Sequence, residues 1–168
     1  HAQLKIASLD LTLNGFVDNK DETFVDINVE SKKAKANELL SSLPSTWIAP
    51  KLLEYSYKGD VYFSASIKGK AAIKSPPLIE VRFGAQSLDI IPDKENYALR
   101  KVALTGFFTN KKSEKNPVSY LSLKNVKASL EGKTIKAEII LENLKSPFVD
   151  ITIDADAMKK NNIVPESM

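Results

Sequence analysis

Most of this chain alternates apolar and polar residues with period two, and that pattern constrains it more than any other feature. Successive side chains of an extended strand point to opposite faces, so such a chain folds as strands with one dry and one wet side. Val25, Ile27 and Val29 share one parity, and Val61, Phe63, Ala65 and Ile67 alternate against Tyr62, Ser64, Ser66 and Lys68. The same holds for Ile79, Val81 and Phe83, for Leu88 and Ile90, and for Val102, Leu104, Gly106 and Phe108. Ile135, Ala137, Ile139 and Leu141 form a further set, and Val149, Ile151 and Ile153 the last.

The parity switches twice. Between Ile6 and Leu9, inside a first stretch from Leu4 to Gly15, the switch predicts a bulge near Ala7–Ser8 that keeps Leu9, Leu11 and Leu13 on the inner face. Leu121 and Leu123 take one parity and Val126, Ala128 and Leu130 the other, which predicts a second bulge near Lys124–Asn125. Asp18-Asn19-Lys20-Asp21 and Glu131-Gly132-Lys133 read as hairpin turns, and Pro76-Pro77 as an edge or a connection. The polar stretch from Thr109 to Asn116 reads as a mobile hairpin tip, and Ala157 to Met168 as a short helix or a loose tail.

The period changes in only one region. Ala36, Leu39, Leu40 and Leu43 fall on one side of a helix predicted over Lys33 to Leu43, and Pro50 to Tyr57 has room for a second helical turn. The expected fold is therefore mainly β: a curved antiparallel sheet of repeated hairpins, with one or two short helices around residues 33–57 packed on or beside the apolar face. Residues 1–168 read as one β-rich unit, and the start at His1 makes an excerpt of a longer or processed protein the expectation. An internal repeat supports the hairpin reading, because Phe24-Val25-Asp26-Ile27 recurs as Phe148-Val149-Asp150-Ile151. Each copy follows an alternating strand and precedes a stretch rich in Lys and Ala.

The residue inventory removes several chemistries. With no cysteine and His1 as the sole histidine, the chain lacks the parts of a Ser-His-Asp or Cys-His device and the usual zinc ligands. The six glycines are isolated and form no phosphate loop. The chain is read as non-catalytic, with no cofactor. The net charge of +3 is carried almost wholly by Lys, with Arg82 and Arg100 the only arginines, and the lysines are scattered among acids. Nucleic-acid binding draws on clustered charge and on the planar fork of Arg, so no nucleic-acid partner is expected. Asp150, Thr152, Asp154 and Asp156 share the outer parity of the last strand and read as a solvated face, not a calcium loop.

The stretch Leu39-Leu40-Ser41-Ser42-Leu43-Pro44, then Leu52-Leu53-Glu54-Tyr55, then Lys58-Gly59-Asp60-Val61 with Ala65-Ser66-Ile67-Lys68-Gly69, resembles the AsmA-like family of bacterial envelope proteins, especially its Bacteroidetes-type versions. So does the closing run from Gly132-Lys133-Thr134-Ile135 through Leu141-Glu142-Asn143-Leu144 to Pro147-Phe148-Val149-Asp150-Ile151. The resemblance extends over most of residues 9–157 and rests on the order of hairpin motifs. It implies a periplasmic portion of a protein held in the inner membrane by a segment absent from this chain. It also implies a role in outer-membrane biogenesis, with an apolar β-groove for phospholipid or another apolar ligand. The candidate groove residues are Val61, Phe63, Ile67, Val81, Phe83, Leu104 and Leu123, with Trp47 and Leu52 nearby. The same residues also suit a self-filled core, in which case the chain is a structural or interaction module binding other envelope proteins. The aromatic group Trp47, Tyr55, Tyr57 and Tyr62 divides the same way, between core and a surface for an apolar ligand or a membrane interface.

Overall fold

A computed structural model describes residues 2–6, 9–19, 22–42, 50–72, 76–94, 96–110, 119–143 and 148–155. The fold is mainly β, an open curved antiparallel sheet with one short α-helix. Ten strands follow in chain order: β1 (Ala2–Ile6), β2 (Leu9–Asp18), β3 (Phe24–Lys35), β4 (Tyr55–Lys58), β5 (Asp60–Lys70), β6 (Leu78–Pro92), β7 (Leu99–Thr109), β8 (Tyr120–Leu130), β9 (Lys133–Glu142) and β10 (Phe148–Ala155). Their spatial order is β1-β2-β3-β5-β6-β7-β8-β9-β10, with β4 paired to β6. Every pairing is antiparallel and almost every neighbour is sequential, as expected of a chain built from hairpins.

Register turns the sequence alternation into a surface. Residues directly opposite one another in an antiparallel pair lie on the same face. One unbroken row runs Leu13, Val29, Ala65, Val81, Phe108, Leu121, Leu141, Val149 across eight strands. The row beside it runs Ser31, Phe63, Phe83, Gly106, Leu123, Ile139, Ile151. The opposite face is mostly polar by the same rule, with a row of Asn14, Asn28, Ser66, Glu80, Thr109, Tyr120 and Glu142 that ends at the exposed Phe148.

Bulges keep that division intact over long strands. The expected irregularity at Lys124–Asn125 is present: the β8–β9 register shifts between Leu123 and Val126, and Asn125 takes φ 53°. The Asn125 amide donates to the Thr105 hydroxyl (3.4 Å), which donates to the Lys124 carbonyl (3.3 Å). A second irregularity lies between Arg100 and Ala103, where Lys101 takes φ 53° and its N–H donates to the Asp89 carboxylate at 3.0 Å. Further shifts separate Ser31 from Ala34 in β3 and Ala85 from Leu88 in β6. Each returns an apolar residue to the dry face.

Three expectations need correction. The stretch from Leu4 to Gly15 is not one bulged strand: β1 and β2 form a hairpin whose innermost rung is Ile6 opposite Leu9. A change of parity at the expected site is satisfied equally by a reversal, and the reversing residues 7–8 lie outside the described residues. The helix is shorter than its apolar pattern: β3 continues through Lys35, and α1 spans only Ala36–Ser42. Pairing of Ala34 and Lys35 with Val61 and Asp60 holds those residues extended against helix propensity. The second helical turn, expected over Pro50 to Tyr57, is a single 3-10 turn at Pro50–Glu54, and Tyr55 to Tyr57 belong to β4. The Thr109–Asn116 tip and the Ala157–Met168 tail fall mainly or wholly outside the described residues.

The turns follow their chemistry. Leu130 and Lys133 close a two-residue loop in which Glu131 and Gly132 both have positive φ (50° and 79°), the requirement of a hairpin turn matched to strand twist. Gly15 sits in β2 opposite Ile27 with φ +143°, and a Cβ there would run into the Asp26 carbonyl oxygen and lie 2.7 Å from the Ile27 Cα. Both contacts are backbone, so relief requires β2 and β3 to separate. Gly15→Ala is expected to destabilise the protein by about 1–3 kcal/mol. Urea unfolding of the two proteins measures this, with a lowered midpoint and an unchanged slope.

Candidate functional site

The candidate site is the dry face of the sheet. Seven of the nine sequence-derived groove residues are brought together there. Val81 lies in the eight-strand row; Phe63, Phe83 and Leu123 lie in the row beside it. Val61 and Leu104 both pair through Ala85, and Ile67 stands between Ile27 and Ile79. All seven are half-buried. Leu52 is apart from them, in the 3-10 turn and 45% exposed, and Trp47 lies outside the described residues.

Within the face, Phe83 is opposite Gly106, and its ring occupies the space a Cβ at Gly106 would need. The ring therefore lies across β7, which suits a smooth surface better than a protruding edge. The residues missed from the sequence list are those that make the face continuous: Phe108, Leu121, Ile139, Leu141, Val149 and Ile151. Their parity was visible in the sequence; which hairpins are neighbours, and in what register, was not.

One end of the face is covered. Ala36, Ala85, Leu88, Val102 and Ala128 form a buried cluster, with Tyr57, Val61, Ile90, Leu99 and Leu104 packed against it. Here α1 packs on β3 and β4, its start fixed by the Ala36 N–H donating to the Gly59 carbonyl (3.1 Å). The Asn37 side-chain oxygen accepts from the Tyr57 N–H at 2.9 Å, and the Tyr57 hydroxyl donates to the Leu52 carbonyl at 3.0 Å. Burial raises the Tyr57 phenol above its ordinary value, so it stays protonated in neutral solution. Away from that end the face is bare at both sides of the sheet: Val17 on β2 is 52% exposed, and Val149, Ile151 and Ile153 on β10 are 47%, 51% and 54% exposed. The helical segment is thus a cap on one end, and among the described residues no second layer crosses the rest of the face.

The aromatic group divides between the two faces. Tyr57, opposite Ile90, belongs to the dry side, whereas Tyr62 lies on the polar side with its ring over Gly84. That polar side carries ion pairs and aromatic contacts. Lys68 reaches Asp26 directly opposite it (2.8 Å), Lys70 pairs with Glu22, and the Arg82 guanidinium stands 5.2 Å from the centre of the Phe107 ring. Phe16 stacks on Phe24 with centroids 6.2 Å apart. Among the described residues no cluster of His, Cys, Asp or Glu side chains has the grouping to hold a metal ion, and no helix is long and apolar enough to cross a membrane. No protein-family model, curated protein or solved structure matches this chain.

Two carboxylates tie down the covered end. Asp60 receives Lys35 (2.7 Å) and Lys33 (3.3 Å) where β5 begins, and hydrogen bonding from Lys35 is the main cause that lowers its pKa. Asp89 receives Arg100 (2.8 Å) and then the Lys101 N–H, which lower its pKa in that order. A carboxylate with a folded pKa below its unfolded value near 3.8 adds stability above that value. That stability is lost as pH falls through the lowered folded pKa. Asp89→Asn is therefore expected to lower stability near pH 6 and to flatten its decline as pH falls below about 4. Denaturant titrations at a series of pH values measure both effects.

Proposed function

We propose that this chain is a non-catalytic segment of an AsmA-like periplasmic protein, whose dry sheet face shields phospholipid acyl chains during outer-membrane biogenesis. The observation that carries the reading is the apolar row crossing eight strands without a charged residue, with no second layer over most of it among the described residues. At ~4.8 Å between strands, the row is about 34 Å long. At the ~7 Å spacing of alternate residues this row and the seven-strand row beside it cover roughly 450 Å2, the size of the largest apolar patch of an ordinary monomer, which is often functional. A surface of that size calls for an apolar occupant, and acyl chains are the occupant that the resemblance supplies.

The mechanism is passive. Contact between Val, Ile, Leu and Phe side chains and a lipid tail removes apolar area from water at about 25 cal/mol per Å2. The one polar side chain in the two rows, Ser31, is buried, so the rows set no directional preference among tails and a lipid would slide along them without breaking hydrogen bonds. Lys, Asp and Glu on the opposite face keep the outside hydrated. Anchoring to the inner membrane belongs to a segment outside this chain, as the resemblance implies.

A second reading has its own support in the buried cluster at the covered end. There the sheet fills itself, as a structural or interaction module of the envelope would.

Mass spectrometry of solvent extracts separates the two. The chain purified from bacteria is expected to carry phospholipid and to take up a fluorescent phospholipid from vesicles. Val81→Glu and Ile139→Glu place a charge in the middle of the face and are expected to abolish most of both, because a carboxylate among acyl chains loses its hydration. Lys127→Glu, on the opposite face, is expected to leave both intact. A chain that is folded by circular dichroism, free of lipid and unable to take it up overturns the lipid reading and leaves the module.

A further inference from the structure

The two copies of the repeat differ in their pairing: among the described residues β3 is paired on both edges and β10 on one. The correspondence extends beyond the quartet, with Phe24-Val25-Asp26-Ile27-Asn28-Val29-Glu30-Ser31 matching Phe148-Val149-Asp150-Ile151-Thr152-Ile153-Asp154-Ala155. Both strands close a hairpin after a connection of five residues, residues 19–23 between Asp18 and Phe24 and residues 143–147 between Glu142 and Phe148. Both direct Val and Ile to the dry face and their acids to the other.

Along its second edge β3 binds β5. Ile27 meets Ile67 on the dry face, and Asp26 meets Lys68 on the polar face at 2.8 Å. The second edge of β10 pairs with no strand among the described residues, and no cation there lies within ion-pair distance of Asp150. Natural edge strands are often blunted by Lys, Pro or bulges; β10 contains no Lys, Pro or Gly, carries Asp150 and Asp154 as its charges, and keeps one register from Phe148 to Ala155.

We propose that the free edge of β10 is a strand-addition site for another polypeptide. The incoming strand runs antiparallel in the register of β5, with an apolar residue opposite Ile151 and a Lys or Arg opposite Asp150. Main-chain hydrogen bonds along the edge supply affinity, and the Asp150 pair fixes the register, as in other β-augmentation. The site lies in the plane of the sheet and needs no lipid on its face.

A peptide with the sequence of β5, Asp60 to Lys70, is the probe, added to the isotope-labelled chain. Every second β10 amide is expected to gain protection from hydrogen exchange, while β3 amides, already paired on both sides, report that the fold is unchanged. The Lys68→Glu peptide is expected to bind several-fold more weakly to the native chain and to regain affinity for the Asp150→Lys variant. Unchanged β10 exchange at saturating peptide overturns the proposal. So does binding that is indifferent to both charge changes.

Discussion

A ten-strand sheet with one dry face depends on a single geometric constraint, that every strand present the same parity to the same side. A slip of one residue anywhere would send a whole strand's Val, Ile and Leu into water. Long strands also twist and accumulate mismatch, so parity is reset locally. Asn125 and Lys101 perform that reset in the left-handed backbone region, each tied by side-chain hydrogen bonds to the neighbouring strand. The bulges are thus part of what makes the rows continuous from β2 to β10.

Much of this was legible in the sequence because side-chain parity is a local property. The shift near Lys124–Asn125 appears as adjacent apolar pairs of opposite phase, and the Glu131-Gly132 turn appears as the residues its φ angles demand. Reading failed where two local solutions share one pattern. A bulge and a tight reversal both change parity between Ile6 and Leu9, and only pairing separates them. The helix start failed for a related reason: Lys33 to Lys35 have helical neighbours in sequence and strand neighbours in space, and the pairing with β5 prevails. Tyr62 was grouped with Tyr57 by composition, although Gly59 separates two differently registered strands between them.

Of the candidate site, seven residues were identifiable as sharing a face, but the extent of that face was not. Extent comes from neighbour order and register, which join Phe108 to Leu121, Leu121 to Leu141 and Leu141 to Val149 across successive hairpins. The degree of cover was equally out of reach. The apolar pattern around residues 36–57 is compatible with a plug over the whole face. In the structure α1 is short: it packs beside β3 and β4, and its Ala36 joins the buried cluster of Ala85, Leu88, Val102 and Ala128, so it caps one end.

The sheet leaves two kinds of surface unsatisfied, and they lie at right angles. Among the described residues the dry face lacks a second layer beyond its capped end, while the second edge of β10 lacks a paired strand within its plane. A strand added at the edge would not cover the face. It would lengthen the rows that now end at Val149 and Ile151, as β5 carries on the rows through Val29 and Ser31. Growth at the edge therefore enlarges the apolar surface instead of consuming it. An architecture made from such hairpins can extend without limit in one direction only if something other than its own strands covers the face. On the proposed lipid reading that cover is the acyl chain, and each strand added at the edge of β10 would lengthen the surface on which it lies.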